Sequence, residues 1–458
     1  MSSVYDSGRP VPLSVKLGFG VGDLGGNLFF TMMGFYLLFY LTDTVGMRAG
    51  LAGTALMIGK AWDAVTDPAV GYISDRSSTR WGRRRPYMAA GAITTAIMMA
   101  IMFTIPGLAN HWLLFVYVAL VYCLLNTAYT LFLIPYGALT PEITEDFHQR
   151  TVLNGYRMSF AVIGTFCGAI LVLPIVSLFG GGTRGWTASG LIMGLIMAAS
   201  FLITVASVRE AARRPISETG HVLRAYWDVL RMKPFLTVLI PWTCHITGVN
   251  ILQASMLYYF GAIFGDAGGF QIALPVLLAS SMLFIPVWVR ISRRIGKKLS
   301  YNIGMGIFTI TVLAFFGLGH ILGLQFAVVL MGLAGVGFAT QYVMPFAIIP
   351  DVVEYDYAEN GVRREGVFYG LWTFVSKIGQ ALGIALSGWV LTWFGYQETV
   401  AGLPAPVQTE LAQFGIRLLI GPIPAVFFIA GIAVLSYYPI NAARYAEILK
   451  RIHARNAR

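Results

Sequence analysis

The sequence predicts an all-α polytopic membrane protein of about twelve transmembrane helices in two pseudo-symmetric six-helix bundles. Three observations carry this. Of 458 residues, 57% are hydrophobic and 12% charged, about half the charge of an ordinary soluble domain, so the chain cannot cover itself with a polar surface. Apolar runs long enough to cross a bilayer core of about 30 Å recur from end to end. The runs are continuous in hydrophobicity rather than alternating, which excludes barrel strands and leaves helices, whose backbone amides are satisfied internally.

The runs fall at 13–42, 50–75, 87–108, 112–142, 152–180, 185–208, 234–264, 269–292, 299–320, 323–350, 367–396 and 413–440. The first is too long for the apolar stretch of a cleavable signal peptide and reads as a span. The longest polar connection divides the chain into an N-terminal six-helix bundle (1–208), a cytoplasmic linker (209–233), a C-terminal six-helix bundle (234–440) and a basic cytoplasmic tail (441–458). Within the linker, the pattern from His221 to Arg231 suggests an amphipathic helix lying at the membrane surface. Gly18, Gly22 and Gly26 in the first run have the spacing of close helix packing.

Basic residues sit on one side. Arg76, Arg80 and Arg83 to Arg85 follow the second run, Arg209, Arg213 and Arg214 the sixth, Arg293, Arg294, Lys297 and Lys298 the eighth, and Arg363 and Arg364 the tenth. Connections after odd-numbered runs have almost none, Arg48 and Arg184 being the main exceptions. By the positive-inside rule both termini face the cytoplasm, and the net charge of +11 is explained without nucleic acid. Cys123, Cys167 and Cys244 are isolated in apolar runs and read as core residues. With no phosphate loop, zinc spacing or nucleophile elbow, the chain is expected to be no enzyme and to need no cofactor.

An ionised side chain inside a bilayer is costly, so each one is a candidate functional residue. Asp23, Lys60, Asp63, Asp67, Arg157 and Lys377 lie well inside apolar sequence. Asp63 and Asp67 are four apart, which puts both carboxylates on one helix face. A hard alkali cation, a shared proton, or a plain ion pair with Lys60 would each relieve their repulsion. Asp351, Glu354, Asp356, Glu359 and Glu365, close to Arg363 and Arg364, read as gate salt bridges, and His245 as a satisfied core histidine. Trp62, Trp372, Tyr129 and Tyr369 could stack on a sugar ring or serve as packing.

The connection Gly71-Tyr-Ile-Ser-Asp75-Arg76 followed by Gly82-Arg83-Arg84-Arg85, echoed by Arg293-Arg294-Ile-Gly296-Lys297-Lys298, resembles the loop of the major facilitator superfamily. Lys60-Ala-Trp-Asp63-Ala-Val-Thr-Asp67-Pro68, Gly22-Asp23-Leu-Gly-Gly-Asn27, Tyr129-Thr130, Ile134-Pro135-Tyr136, Arg150, Asn154, Arg157 and Lys377 resemble its glycoside-pentoside-hexuronide:cation symporter family across nearly the whole chain. The resemblance implies the major facilitator fold and cation-coupled symport of a sugar or glycoside by alternating access, in the inner (plasma) membrane. It implies a cation site, for Na⁺, Li⁺ or H⁺, at Asp63, Asp67 and Thr130. It places a solute site at Asp23, Arg157, Asn27, Tyr129, Trp372 and Lys377, and a gating cluster at Asp75, Arg76, Arg83, Arg84, Arg363 and Arg364. The expected partners are a small solute, the coupling cation and the bilayer, around a monomer. The chain departs from melibiose permease-like members at Leu133, Gly137 and Gly22, where they carry Asp, Trp and Lys. That departure makes a lysophospholipid or other amphiphile the alternative substrate class, and a non-transporting membrane sensor the more distant one.

Overall fold

The computed structural model describes residues 11–77, 79–108, 110–144, 146–208, 210, 222–362, 364–399 and 406–456. Helices α1 (Leu13–Thr44), α2 (Ala49–Arg76), α3 (Arg85–Met102), α4 (His111–Gly137), α5 (Phe147–Leu178) and α6 (Gly182–Ser207) come first. The short α7 (Val222–Leu230) leads into α8 (Lys233–Phe264), α9 (Phe270–Ile295), α10 (Lys297–Ala314), α11 (His320–Asn360), α12 (Glu365–Trp393), α13 (Glu410–Ile420), α14 (Pro422–Leu435) and α15 (Ala442–Asn456). No strand occurs among the described residues.

Nine stretches among the described residues are long and apolar enough to cross a membrane. One of them, Lys297–Asn360, holds two spans. It turns at Gly323, whose φ of 79° and ψ of −173° lie where only glycine is unstrained. Helix α2 falls outside the nine because Lys60, Asp63 and Asp67 interrupt it, and α3 because its 18 residues begin on Arg85. With these, the described residues hold the expected twelve spans. Starts are set by local chemistry: the Asn110 side chain accepts from the amides of Trp112 and Leu113 at the head of α4, and Asp146 accepts from Gln149 at the head of α5. Each such cap contributes about 1 kcal/mol.

The chain divides into two compact units, one of Met1–Ile216 with Ile384–Thr409, the other of Ser217–Gly383 with Glu410–Arg458. In the first, α1 packs on α5 and α6, α2 on α4, and α3 on α4 and α6. Small residues let these helices approach: Gly18 and Gly25 of α1 face Ser207 and Ser200 of α6, and a Cβ at Gly164 of α5 would lie 2.1 Å from the Leu24 carbonyl oxygen. In the second unit, α8 packs on α13 and α14, α9 on α11, and α10 on α11 and α14.

Residues 384–409 belong to the first unit, whereas chain connectivity alone assigns them to the bundle of 234–440. The reason is specific bonding. The Trp389 indole donates to Thr54 Oγ1 at 2.9 Å, the Gly50 amide donates to Thr392 Oγ1 at 2.7 Å, and Gly388 has no side chain to hold it off Gly53 and the Ala49 carbonyl. Of the linker expected at 209–233, Glu210 and residues 222–233 are described, and α7 is two-sided there, with Val229 buried and Trp227 56% exposed. The rest of the linker, like Arg363, lies outside the described residues. The basic tail is largely helical: α15 buries Ile448 and Ile452, its Tyr445 hydroxyl bonds Glu354 of α11, and Arg451 pairs with Glu359 at 3.1 Å.

Candidate functional site

Helix α2 presents Asp63, buried, and Asp67, half-buried, one turn apart. Pro68, next to Asp67, has no N–H to give the Ala64 carbonyl, so the helix is loosened at this pair. Thr130 of α4, fully buried, brings its Oγ1 to 2.9 Å from Asp63 Oδ1 and 3.0 Å from Asp67 Oδ1. A hydroxyl has one proton, so it cannot fully satisfy both carboxylates. Three oxygens therefore converge where a second positive centre is needed. Lys60 supplies part of it: its Nζ is 3.9 Å from Asp63 Oδ2, the oxygen turned away from Thr130, and 5.5 Å from the Phe30 ring. The ion pair with Lys60 and the oxygen cluster thus use opposite edges of one carboxylate. No group of three His, Cys, Asp or Glu gathers among the described residues, and an all-oxygen cluster built on two carboxylates suits a proton or a hard monovalent cation.

The second pair joins α1 to α5. Arg157 Nε donates to Asp23 Oδ2 at 2.6 Å and Nη2 reaches Oδ1 at 3.4 Å. Tyr136 of α4 places its hydroxyl 2.6 Å from Asp23 Oδ2 and 2.8 Å from the Phe19 carbonyl, and the guanidinium lies 4.7 Å from the Tyr136 ring centre. Asp23 is 9% exposed, and in that setting the cost of removing charge from water is offset only by close pairing. The outer valences stay available: among the described residues Asp23 Oδ1 has only the long contact, and Arg157 Nη1 only Thr140 Oγ1 at 3.5 Å. An acceptor edge beside a donor edge is the complement of a pair of neighbouring hydroxyls.

The other expected solute residues divide. Asn27 donates within its own helix to the Asp23 carbonyl at 2.9 Å, so it braces the turn that carries Asp23. Tyr129 is 2% exposed, stacks on Phe29 with ring centres 4.1 Å apart, and approaches the Gly26 carbonyl at 3.4 Å, which makes it packing in this state. Trp372 and Lys377 lie on α12 in the second unit. Trp372 is stacked on Trp242 at 5.0 Å, and Lys377 is half-buried. His245 is buried, with Nδ1 2.6 Å from the Tyr301 hydroxyl, as expected of a core histidine, although its Nε2 has no partner among the described residues.

The gating residues form two separate groups. At the start of α3, Arg84 bonds Asp75 with Nε at 3.0 Å, the Ala138 carbonyl at 2.8 Å, and Glu142, while Arg83 also bonds Glu142. Gly82, with φ of 106°, lets the chain turn so that the amides of Arg83, Arg84 and Arg85 all donate to the Glu210 carboxylate at 2.6 to 2.9 Å. Arg76 stands apart, stacked on Tyr72 at 3.8 Å. In the second unit Arg364 bonds both oxygens of Asp356, which is 1% exposed. That hydrogen bond raises the arginine above its ordinary pKa. Tyr136, Glu142 and Glu210 are the partners that sequence reasoning missed as site residues. Tyr136 was visible only as part of a motif, and no local pattern marks Glu210, which lies about 125 residues from the amides it binds.

Residues 18–442 match the family described as MFS/sugar transport protein. An uncharacterized symporter of Synechocystis sp. is 29% identical over 98% of both chains, and the glucuronide carrier protein homolog of Escherichia coli is 29% identical over 96% of this chain and 95% of that one. A crystal structure of the nucleoside transporter NupG superposes with a TM-score of 0.69 at 15% identity, covering 92% of this chain and 99% of that one. The last likeness shows the major facilitator fold. A match over nearly the whole length, residues 18–442, makes this chain a member of the MFS/sugar transport protein family.

Proposed function

We propose that this chain carries a sugar or glycoside into the cell by alternating access, coupled to Na⁺ or H⁺ held at Asp63, Asp67 and Thr130. That it is a multi-pass secondary active transporter and not an enzyme follows from its family. The single observation that carries the coupling is the Thr130 hydroxyl within 3.0 Å of both carboxylates: two anions on one helix face, sharing one proton donor, bind a cation more strongly than either alone. Solute then enters between the free edges of Asp23 and Arg157. By linkage, bound cation and bound solute must tighten one another by the same factor.

The glucuronide carrier homolog among the relatives favours an acidic or neutral glycoside, and Arg157 suits either. The clustering of basic residues on alternate connections supports an inner (plasma) membrane location with both termini cytoplasmic. A second reading, transport of an amphiphile such as a lysophospholipid, draws on Gly137, where an added Cβ would meet nothing within 4 Å, and on half-buried Leu133. The test is uptake into proteoliposomes of labelled glucuronides, pentosides and a lysophospholipid, with and without an inward Na⁺ or H⁺ gradient. Gradient-driven accumulation of a glycoside, abolished in Asp63→Asn, is expected; accumulation indifferent to Asp63→Asn would reject the coupling assignment.

A further inference from the structure

At the end of the first unit remote from the Gly82 loop, α1, the connection after α3 and the start of α6 enclose an open cavity of about 810 Å³. Its polar lining is Tyr40, Thr44, Thr104, Thr183, Arg184 and Thr187, and no carboxylate lines it. Tyr40 is buried against Phe103 and Trp186, at ring-centre distances of 4.9 and 5.4 Å, and forms part of a rigid aromatic wall. Thr187 is held to the Phe103 carbonyl at 2.9 Å. Arg184, by contrast, makes no hydrogen bond, ion pair or ring contact among the described residues. Asp43, the neighbour of the lining residue Thr44, is already engaged by the hydroxyls of Thr42 at 2.6 Å and Tyr396 at 2.7 Å.

We infer that this cavity binds the phosphate headgroup of a membrane phospholipid, of the anionic kind with a small hydroxylated headgroup. A guanidinium is the preferred partner of a phosphate diester, and the ring of threonine hydroxyls fits headgroup oxygens. The α6 N-terminus opens into the same place with no side chain capping it, which leaves its first amides and positive dipole end for an anion. The tail has a path as well. Leu191, Leu195 and Leu202, 47%, 56% and 41% exposed, follow Arg184 at intervals that keep them on one face of α6, a greasy stripe running down the helix from the cavity. The second unit shows the alternative fate of such an arginine. There Arg417, in the last turn of α13, donates to the Phe316 carbonyl at 3.1 Å, and Tyr259 donates to the Phe315 carbonyl at 3.0 Å. Arg184, in the first turn of α6, has no such backbone partner among the described residues and is left for a ligand.

The experiment uses the full-length protein in nanodiscs of phosphatidylcholine with a minor fraction of photoreactive phosphatidylglycerol, cross-linked and mapped by peptide mass spectrometry. Wild type is expected to label the 183–191 segment. Arg184→Gln should lower that labelling about tenfold, the worth of one charge-assisted hydrogen bond, and Thr183→Val about threefold. Arg417→Gln should leave it unchanged, and so should excess inorganic phosphate or methyl glucuronide in solution. Thermal unfolding of Arg184→Gln should match wild type, since the side chain has no protein partner to lose. Labelling that survives Arg184→Gln overturns the proposal; so does displacement by inorganic phosphate, which would make it a free-anion site, or by the glucuronide, which would make it a solute subsite.

Discussion

Replacing Asp67 by asparagine keeps the shape of the cation cluster and removes one of its charges. The Thr130 oxygen lies 2.9 and 3.0 Å from the two carboxylate oxygens, so those oxygens are at most about 6 Å apart, and at an effective dielectric of about 20 they repel by about 3 kcal/mol. A monovalent cation about 3 Å from each gains about 5 to 6 kcal/mol per carboxylate on the same scale. Asp67→Asn loses one attraction of about 5 to 6 kcal/mol, the repulsion between the carboxylates being present in the empty and the occupied site alike; because Asp67 is half-buried, solvent screening trims this, leaving cation binding weaker by about a hundredfold or more. Lys60 sharpens the outcome. Lys60 stays paired with Asp63 at 3.9 Å and draws on the one carboxylate that remains. The assay is the cation concentration that gives half-maximal binding to the purified protein by calorimetry, paired with gradient-driven glycoside accumulation in proteoliposomes. An Asp67→Asn protein whose cation dependence equals wild type would refute the reasoning, since no other carboxylate approaches Thr130 among the described residues.

Other perturbations test the surrounding parts. Asp23→Asn leaves Arg157 without its ion-pair partner and should cost about 3 to 5 kcal/mol of stability along with uptake; Asp23→Asn with Arg157→Gln should recover thermal stability but not transport, and a transporting double variant would make the pair purely structural. Gly82→Ala forces a side chain onto φ of 106° with its Cβ 2.6 Å from Glu210 Oε1, which should lower stability by about 1 to 3 kcal/mol, read as a drop in thermal midpoint. Tyr445→Phe removes the bond to Glu354 and should raise hydrogen exchange across 442–456 while leaving α11 protected; unchanged exchange would mean that buried Ile448 and Ile452 alone hold α15.

The spans were legible because a bilayer imposes length and apolarity on each one separately, and even the turn between the ninth and tenth could be placed near Gly323. Which unit a span joins was not legible. Helix α12 passes residues 384–393 to the first unit through contacts such as Gly388 on Gly53, and small residues far apart in sequence carry no mark of one another. The same limit separated the two tyrosines of α4. Tyr129 reaches the Gly26 carbonyl and Tyr136 the Phe19 carbonyl, seven residues along each of two antiparallel helices, so both lie on nearly one face. Only the register of α4 against α1 decides which of them bonds Asp23.

That register has a mechanical consequence. Thr130 holds the carboxylates of α2 and Tyr136 holds Asp23 of α1, six residues on along the same helix, an axial separation of about 9 Å. On the proposed reading, a cation that draws Asp63 and Asp67 together pulls on Thr130, and the shift reaches Tyr136 along a helix that Pro135 loosens between the two, since Pro135 has no N–H to give the Leu131 carbonyl. Asp23 Oδ2 is shared between Tyr136 and Arg157 at 2.6 Å each, so a shift of the phenol changes how much of the carboxylate Arg157 must satisfy, and hence how freely its outer edge can meet a solute hydroxyl. On the proposed reading the coupling demanded by linkage needs no contact between cation and solute: α4 joins the proposed cation and solute sites, with the threonine and the tyrosine, neither of them charged, standing between the two charged pairs.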